Sequence, residues 1–348
     1  MQATEVARDC SPRDEACVQR FACSGGHCLI AIEFLGLLIG ISLGGWFLSV
    51  GAEKLAERYG ANFAGSILLA VVTTLPEYLF VFWAAMKGFY PMAVGSAVGA
   101  CTLLVTLGYG SVILLATTRC SRKPVQFIQL SKRTQVDATY LAATAIVAFI
   151  LAWEGGGLDV KDGIILTIIY LAYVAKHVHA ARRVARSQES ELPAAGLRRA
   201  ILMLVMGGVL IVILAERFVD SMLHIATFVG ISPAAIAIII SPLASEMPEK
   251  ITAYLTVIRN GKLAEISICN FIGSKVNHNS LLLAVLPFVA AARGGGDVRG
   301  IIGIPFITMT VLTMVATASL ARRRLTRWQG WAFLALYIGI IGAAYSVR

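Results

Sequence analysis

Hydrophobic residues run through this chain in long stretches, interrupted by short charged or glycine-containing turns. Reading between the charges gives ten apolar stretches, near 29–51, 61–86, 89–118, 137–153, 163–180, 199–219, 230–258, 264–291, 300–320 and 328–346. A bilayer core is spanned by roughly 20 apolar residues in helical form. The pattern therefore predicts an all-α polytopic membrane protein with about ten transmembrane helices. The fourth and fifth stretches are the shortest, and the third is long enough to tilt or to include a surface segment. Residues 1–28 are polar and charged and lack the apolar core of a secretion signal.

Composition agrees with that pattern. Of 348 residues, 57% are hydrophobic and 14% charged, against about 25% charged in soluble domains. A water-soluble globule cannot hide so much apolar surface. Soluble enzyme, disordered chain and nucleic-acid-binding domain are excluded on this ground. The net charge of +10 is a topology signal. Of the 30 Lys and Arg residues, 19 fall on the side of the loop after the first stretch and 9 on the other, while Lys250 and Lys275 lie inside stretches. Basic residues favour the cytoplasmic side. The odd-numbered loops are thus expected in the cytoplasm and both termini outside, in a plasma or bacterial inner membrane.

Two segments of the chain resemble each other. In 61–110, an apolar run leads to Thr73-Thr74-Leu75-Pro76-Glu77, a turn at Lys87-Gly88 and a second span with Gly95, Gly99 and Gly108. In 233–290, an apolar run leads to Ser245-Glu246-Met247-Pro248-Glu249, a turn at Arg259–Lys262 and a span with Gly273-Ser274. The chain then divides into an extracytoplasmic tail (1–28), a first five-helix repeat (29–180), a basic cytoplasmic linker (181–198) and a second five-helix repeat (199–348). Five spans is an odd number, so the repeats would be inverted, an arrangement in which secondary transporters place ion sites at the membrane midplane.

The repeated motif carries the chemistry. Proline lacks an N–H and disturbs the preceding turn. Pro76 is expected to free the carbonyl of Val72, Pro248 that of Ala244, and Pro242 that of Ile238. Glu77 and Glu249 follow their prolines directly, deep in apolar stretches, with Thr73, Thr74, Ser241 and Ser245 one turn earlier. Carboxylate, hydroxyl and loosened carbonyl together form an oxygen shell of the kind hard cations such as Ca²⁺ take. No His/Cys cluster is evident at these depths, which points away from a soft transition-metal site. Asn270, Ser274 and Asn277 recur at i, i+4 and i+7, on one helix face, followed by His278 and Asn279. The first half is poorer, with Ser96, Cys101, Thr102 and Thr106. Interhelical hydrogen-bonding is the alternative role for the amides, and close helix packing for Gly95 and Gly99.

These residues resemble the calcium/cation antiporter superfamily, the sodium/calcium exchanger membrane-region family. The likeness rests on Thr73–Glu77, Ser245–Glu249, Gly273-Ser274-Lys275-Val276-Asn277 and Gly51-Ala52-Glu53-Lys54-Leu55. It implies a secondary active antiporter working by alternating access, with no cofactor and with ions as substrates. Ca²⁺ or another divalent cation would leave the cytoplasm as Na⁺ or H⁺ enters. Glu77 and Glu249 match the acidic pair that binds the cation, and Thr73, Thr74, Ser245, Asn270, Ser274 and Asn277 complete the candidate metal ligands. The implied partners are the lipid bilayer and small inorganic cations, with no nucleic acid.

The chain departs from the family pattern at Cys101, Leu104 and Lys275, where amide or hydroxyl donors are expected. Glu246 is an added carboxylate, and Lys250 stands at the favourable i+4 spacing from it. Glu246, Lys250 and Lys275 are therefore candidate modulators. Glu246 is expected to pair with Lys250, leaving Glu249 free and Lys275 set against Glu77 and Glu249. Lys275 and Cys101 keep open a transporter of another ion on the same scaffold, or a transport-inactive ion sensor or scaffold. A membrane enzyme is disfavoured, because His-Glu-x-x-His and Gly-x-Ser-x-Gly motifs are missing. Cys10, Cys17, Cys23 and Cys28 would form two disulfides, or remain free, if their tail is extracytoplasmic. His177 and His179 read as solvated interfacial residues.

Overall fold

The computed structural model describes residues 26–59, 73–185, 194–295 and 298–346. Twelve helical segments dominate these residues: α1 (Gly26–Tyr59), α2 (Leu75–Met86), α3 (Tyr90–Leu103), α4 (Tyr109–Thr117), α5 (Lys132–Glu154), α6 (Val160–Ala185), α7 (Ala194–Val229), α8 (Pro233–Arg259), α9 (Ala264–Asn277), α10 (Leu283–Ala292), α11 (Ile304–Ala321) and α12 (Arg327–Ser346). Each apolar stretch of the sequence coincides with helix, the second only from residue 73 onward. Five helical runs in the described residues are long and apolar enough to cross a bilayer: Ile30–Gly51, Tyr90–Thr117, Lys132–Glu154, Gly196–Val229 and Ile304–Ala321. Residues 181–185 and 194–198 of the basic linker extend the ends of α6 and α7. Cys10, Cys17 and Cys23 lie outside the described residues, as does the side chain of Cys28.

Two of the rods contain a π turn. Leu104–Gly108 joins α3 to α4, and His278–Leu282 joins α9 to α10. Both turns are buried almost completely, at equivalent places in the two similar segments.

The long helices α1 and α7 pack tightly side by side, with glycine at the seam. A Cβ built on Gly207 would lie 2.6 Å from the Gly44 carbonyl oxygen, and one on Gly51 would lie 2.9 Å from that of Ala200. Only glycine permits such an approach. The outer faces of this pair expose Ile32, Leu35, Ile39, Leu202, Val205 and Val209. A contiguous apolar surface of this kind belongs against lipid.

Two helices cross at closer range inside the molecule. A Cβ on Gly99 of α3 would lie 2.2 Å from the carbonyl oxygen of Ile238 in α8, and one on Gly95 would lie 2.7 Å from that of Ala234. Ser96 Oγ and Ser241 Oγ meet at 2.7 Å in the same crossing.

The connecting segments associate at the helix ends. Strand β1 (Phe127–Gln129) pairs antiparallel with β4 (Arg324–Thr326), placing Ile128 opposite Leu325. Strand β2 (Gly157–Leu158) pairs antiparallel with β3 (Val298–Arg299). The Arg122 N–H donates to the Ile258 carbonyl and the Gly261 N–H to that of Lys123. Elsewhere, Lys87 in the α2–α3 turn lies 3.2 Å from Glu216 and 2.9 Å from Asp220 of α7. Partial burial works against its charge, but the two carboxylates outweigh it and raise its pKa above the ordinary lysine value. Arg293 donates to the Ala85 carbonyl at 3.2 Å. His177 is not left to solvent: its Nε2 is 2.8 Å from Asp137 Oδ1, so the residue ties α6 to α5.

Candidate functional site

The site is built where α2, α8 and α9 meet the second π turn. Pro76 is the second residue of α2, where a backbone N–H has no intrahelical partner to lose. Glu77 follows it, only 1% exposed. α8 behaves otherwise. It runs as continuous helix from Pro233 to Arg259, through Pro242 and Pro248. The carbonyls these prolines release are accommodated from outside. That of Ala244 accepts a hydrogen bond from Ser42 Oγ of α1 at 3.2 Å, and that of Ile238 rests on Gly99.

All the candidate ligands are buried: Thr73, Thr74, Glu77, Ser245, Glu249, Asn270, Ser274 and Asn277 are each no more than 9% exposed. The structure joins them in pairs. Asn270 Nδ2 donates to Glu249 Oε1 at 2.9 Å. Asn277 Nδ2 donates to Thr74 Oγ1 at 2.9 Å, and its Oδ1 accepts a short hydrogen bond from the Tyr78 hydroxyl. Ser245 faces the Glu77 carboxylate and donates to the Ser241 carbonyl at 2.9 Å. Ser274 Oγ has no hydrogen-bond partner.

The three modulator residues form a charged knot beside this set. Lys250 Nζ lies 3.4 Å from Glu246 Oε2. Lys275 Nζ lies 3.5 Å from Glu246 Oε1. The partner of Lys275 is thus Glu246, not the Glu77–Glu249 pair expected from sequence. The geometry explains this: Glu246 and Lys275 face each other across the α8–α9 contact, and one carboxylate accommodates both ammoniums, one on each oxygen. Cys101 Sγ lies 3.2 Å from Asn279 Oδ1, tying the apolar-rich α3 to the second π turn.

His278 is the residue that the sequence reading passed over as a ligand. Its Nε2 lies 3.3 Å from Glu246 Oε1, and its Nδ1 lies 2.5 Å from the Ser274 carbonyl oxygen. One ligand atom from each of Glu77, Glu246 and His278 falls within 4.8 Å of the other two. The lack of a His/Cys cluster in the sequence points away from a soft transition-metal site; the fold places one histidine beside two carboxylates. Tyr78 was likewise missed, because nothing in its position beside Glu77 marks its hydroxyl as reaching α9.

The sodium/calcium exchanger protein family matches residues 29–176 and again residues 199–346. The chain belongs to this family. Members resembling it include an uncharacterized membrane protein of Methanocaldococcus jannaschii, 23% identical over 87% of this chain and 94% of the relative. A putative antiporter, CaxA, of Alkalimonas amylolytica is 22% identical over 89% of this chain and 97% of the relative. Among solved structures, the sodium-calcium exchanger NCX_Mj superposes with a TM-score of 0.67 at 22% identity, covering 92% of this chain and 99% of that one. The H⁺/Ca²⁺ exchanger CAX superposes with a TM-score of 0.74 at 18% identity, covering 90% of this chain and 81% of that one. This exchanger-family member is therefore an integral membrane protein with the fold of cation antiporters.

Proposed function

We propose that the chain is a secondary active antiporter that exports Ca²⁺ or another divalent cation from the cytoplasm in exchange for Na⁺ or H⁺. The observation that carries this reading is the burial of Glu77 and Glu249 beside Ser245, Asn270 and Asn277. Each glutamate follows a proline in one of two similar segments, each is buried, and hydroxyls and amides surround them. Buried carboxylates in a membrane domain are costly unless they have a task, and an oxygen-rich shell is what a hard cation takes. Glu77, Glu249, Thr73, Thr74, Ser245, Asn270, Ser274 and Asn277 are the ligand set in this reading. Glu246, Lys250 and Lys275 set its charge.

The architecture that goes with it is ten membrane-crossing helices in two inverted five-helix repeats, 29–180 and 199–348. Loop pairing supports it. Connections after odd-numbered spans associate with one another, as β1 does with β4 and Lys123 with Gly261. Connections at even-numbered ends do likewise, as β2 does with β3 and Lys87 with α7. The matching π turns and the two family-matched stretches add to the same picture. The 19-to-9 division of basic residues then sets both termini outside the cytoplasm.

The test is ion flux in proteoliposomes holding the purified full chain, with Na⁺ and pH gradients imposed separately. Uptake of ⁴⁵Ca²⁺ driven by one of these gradients is expected. If neither gradient drives Ca²⁺ or another divalent cation, the exchanger reading is wrong.

A further inference from the structure

Glu77, Glu246 and His278 come from three different elements, α2, α8 and the second π turn, and each is 1% exposed. Glu77 Oε2 and His278 Nε2 are enclosed and have no hydrogen-bond partner, and Glu246 Oε1 has only the Lys275 ammonium, 3.5 Å away. Buried acceptors left without a hydrogen bond are costly. A cation bound by all three atoms removes that cost.

The orientation of the imidazole narrows the choice of cation. The Ser274 carbonyl can only accept, so Nδ1, at 2.5 Å, carries the proton of the ring. In the neutral ring Nε2 then directs a lone pair at the carboxylates, 3.3 Å from Glu246 Oε1. A carbonyl holding the far nitrogen is how supporting groups orient a metal-binding histidine. Carboxylates alone suit Ca²⁺ and Mg²⁺, whereas imidazole suits first-row transition metals and Zn²⁺.

We propose that His278 Nε2 and the carboxylates of Glu77 and Glu246 form a binding site for a divalent transition-metal cation of the Zn²⁺, Co²⁺ or Mn²⁺ kind, extending the substrate range of this chain beyond Ca²⁺. That such a metal is carried across the membrane rests on the exchanger reading; that it binds does not. Lys275 is the tethered competitor. Its ammonium sits 3.5 Å from the oxygen the metal would take and has no hydrogen-bond partner of its own. It must turn aside as the metal enters. With Glu77, Glu246 and Glu249 ionised and Lys250 and Lys275 charged, the cluster carries a net charge of −1. Removing Lys275 makes it −2, which a divalent cation neutralises.

The experiment uses the purified full chain in detergent. Pulsed electron paramagnetic resonance of bound Mn²⁺ should show nitrogen modulation from a directly coordinated imidazole. His278→Gln should abolish that modulation and weaken Zn²⁺ binding, read with a competing chelator dye, by about tenfold or more, a larger factor than it weakens Ca²⁺ binding. Lys275→Gln should tighten Zn²⁺ binding. Absence of Mn²⁺ binding, or bound Mn²⁺ without nitrogen modulation in the unaltered protein, overturns the proposal whether or not the variants fold. So does an equal loss of Zn²⁺ and Ca²⁺ binding in His278→Gln. Nitrogen modulation without gradient-driven flux of Ca²⁺ or any other divalent cation in vesicles sinks the antiporter reading and leaves the metal site standing. Ca²⁺ flux with a nitrogen-free Mn²⁺ spectrum does the opposite.

Discussion

α2 and α8 carry the same Pro-Glu step and deal with it in different ways. In α2 the proline falls in the first turn, where the helix has no hydrogen bond to lose. In α8 the helix continues through Pro242 and Pro248, and the released carbonyls depend on other helices. Ser42 of α1 serves the Ala244 carbonyl, and Gly99 of α3 makes room for that of Ile238. The neighbours differ as well. α3 contributes Ser96 and Cys101 beside Gly95 and Gly99, whereas α9 and its π turn bring Asn270, Ser274, Lys275, Asn277, His278 and Asn279. The first copy supplies a simple break and a carboxylate. The second supplies polar chemistry and needs the rest of the protein to hold it.

The comparison can be broken most directly at its two carboxylates. Glu77→Gln and Glu249→Gln should each reduce cation exchange in proteoliposomes to background, with normal membrane insertion. Activity surviving in one variant would mean that only one Pro-Glu step takes part in binding. Gly99→Ala tests whether α8 depends on α3. Its methyl group would overlap the Ile238 carbonyl, built at 2.2 Å, and overpacking of this kind costs about 1–3 kcal/mol or more. A clear fall in thermal stability is expected, and an unchanged melting profile would show that the crossing gives way easily.

Asn277 links the two copies, donating to Thr74 and accepting from Tyr78. Asn277→Ala removes both of these hydrogen bonds, at about 1 kcal/mol each. It should weaken cation binding as well as stability, both read in the same purified sample. The smallest effect belongs to Ser42→Ala. Losing one hydrogen bond to the Ala244 carbonyl should cost about 1 kcal/mol, measurable as a modest drop in melting temperature. A loss as large as that of Gly99→Ala would mean that α1, rather than α3, is the main support of α8.

Much of this was legible in the chain itself. Apolar stretches between charges marked the helices, because a bilayer imposes a length on them, and the Pro-Glu steps marked Glu77 and Glu249. The i, i+4 spacing also allowed the Glu246–Lys250 contact, which exists at 3.4 Å. The rest depends on distances between helices, which spacing along one helix does not encode. Lys275 could be placed near acidic residues but not assigned to Glu246. His278 followed the Asn270–Ser274–Asn277 face and stood out neither by charge nor by neighbours, and only packing of α2 and α8 against it supplies its carboxylates. Continuity of α8 is not legible for the same reason: proline's effect on a helix depends on whether some distant group donates to the freed carbonyl or makes room for it.

The π turns at Leu104–Gly108 and His278–Leu282 have a consequence for how such a chain tolerates change. A π turn closes each loop with one residue more than an α-turn, so each rod carries a single surplus residue near its middle. Deleting one residue there would let the turn close as ordinary α-helix and leave the segments on either side nearly in register, because the wide turn already absorbs the surplus. Deleting a residue from plain α-helix between Ser274 and the turn would instead swing everything beyond it by about 100°, the α-helical rotation per residue, and move Leu283, Leu286 and Val289, now buried, away from their places relative to Asn270 and Ser274. These two turns are therefore where a change of length is best tolerated.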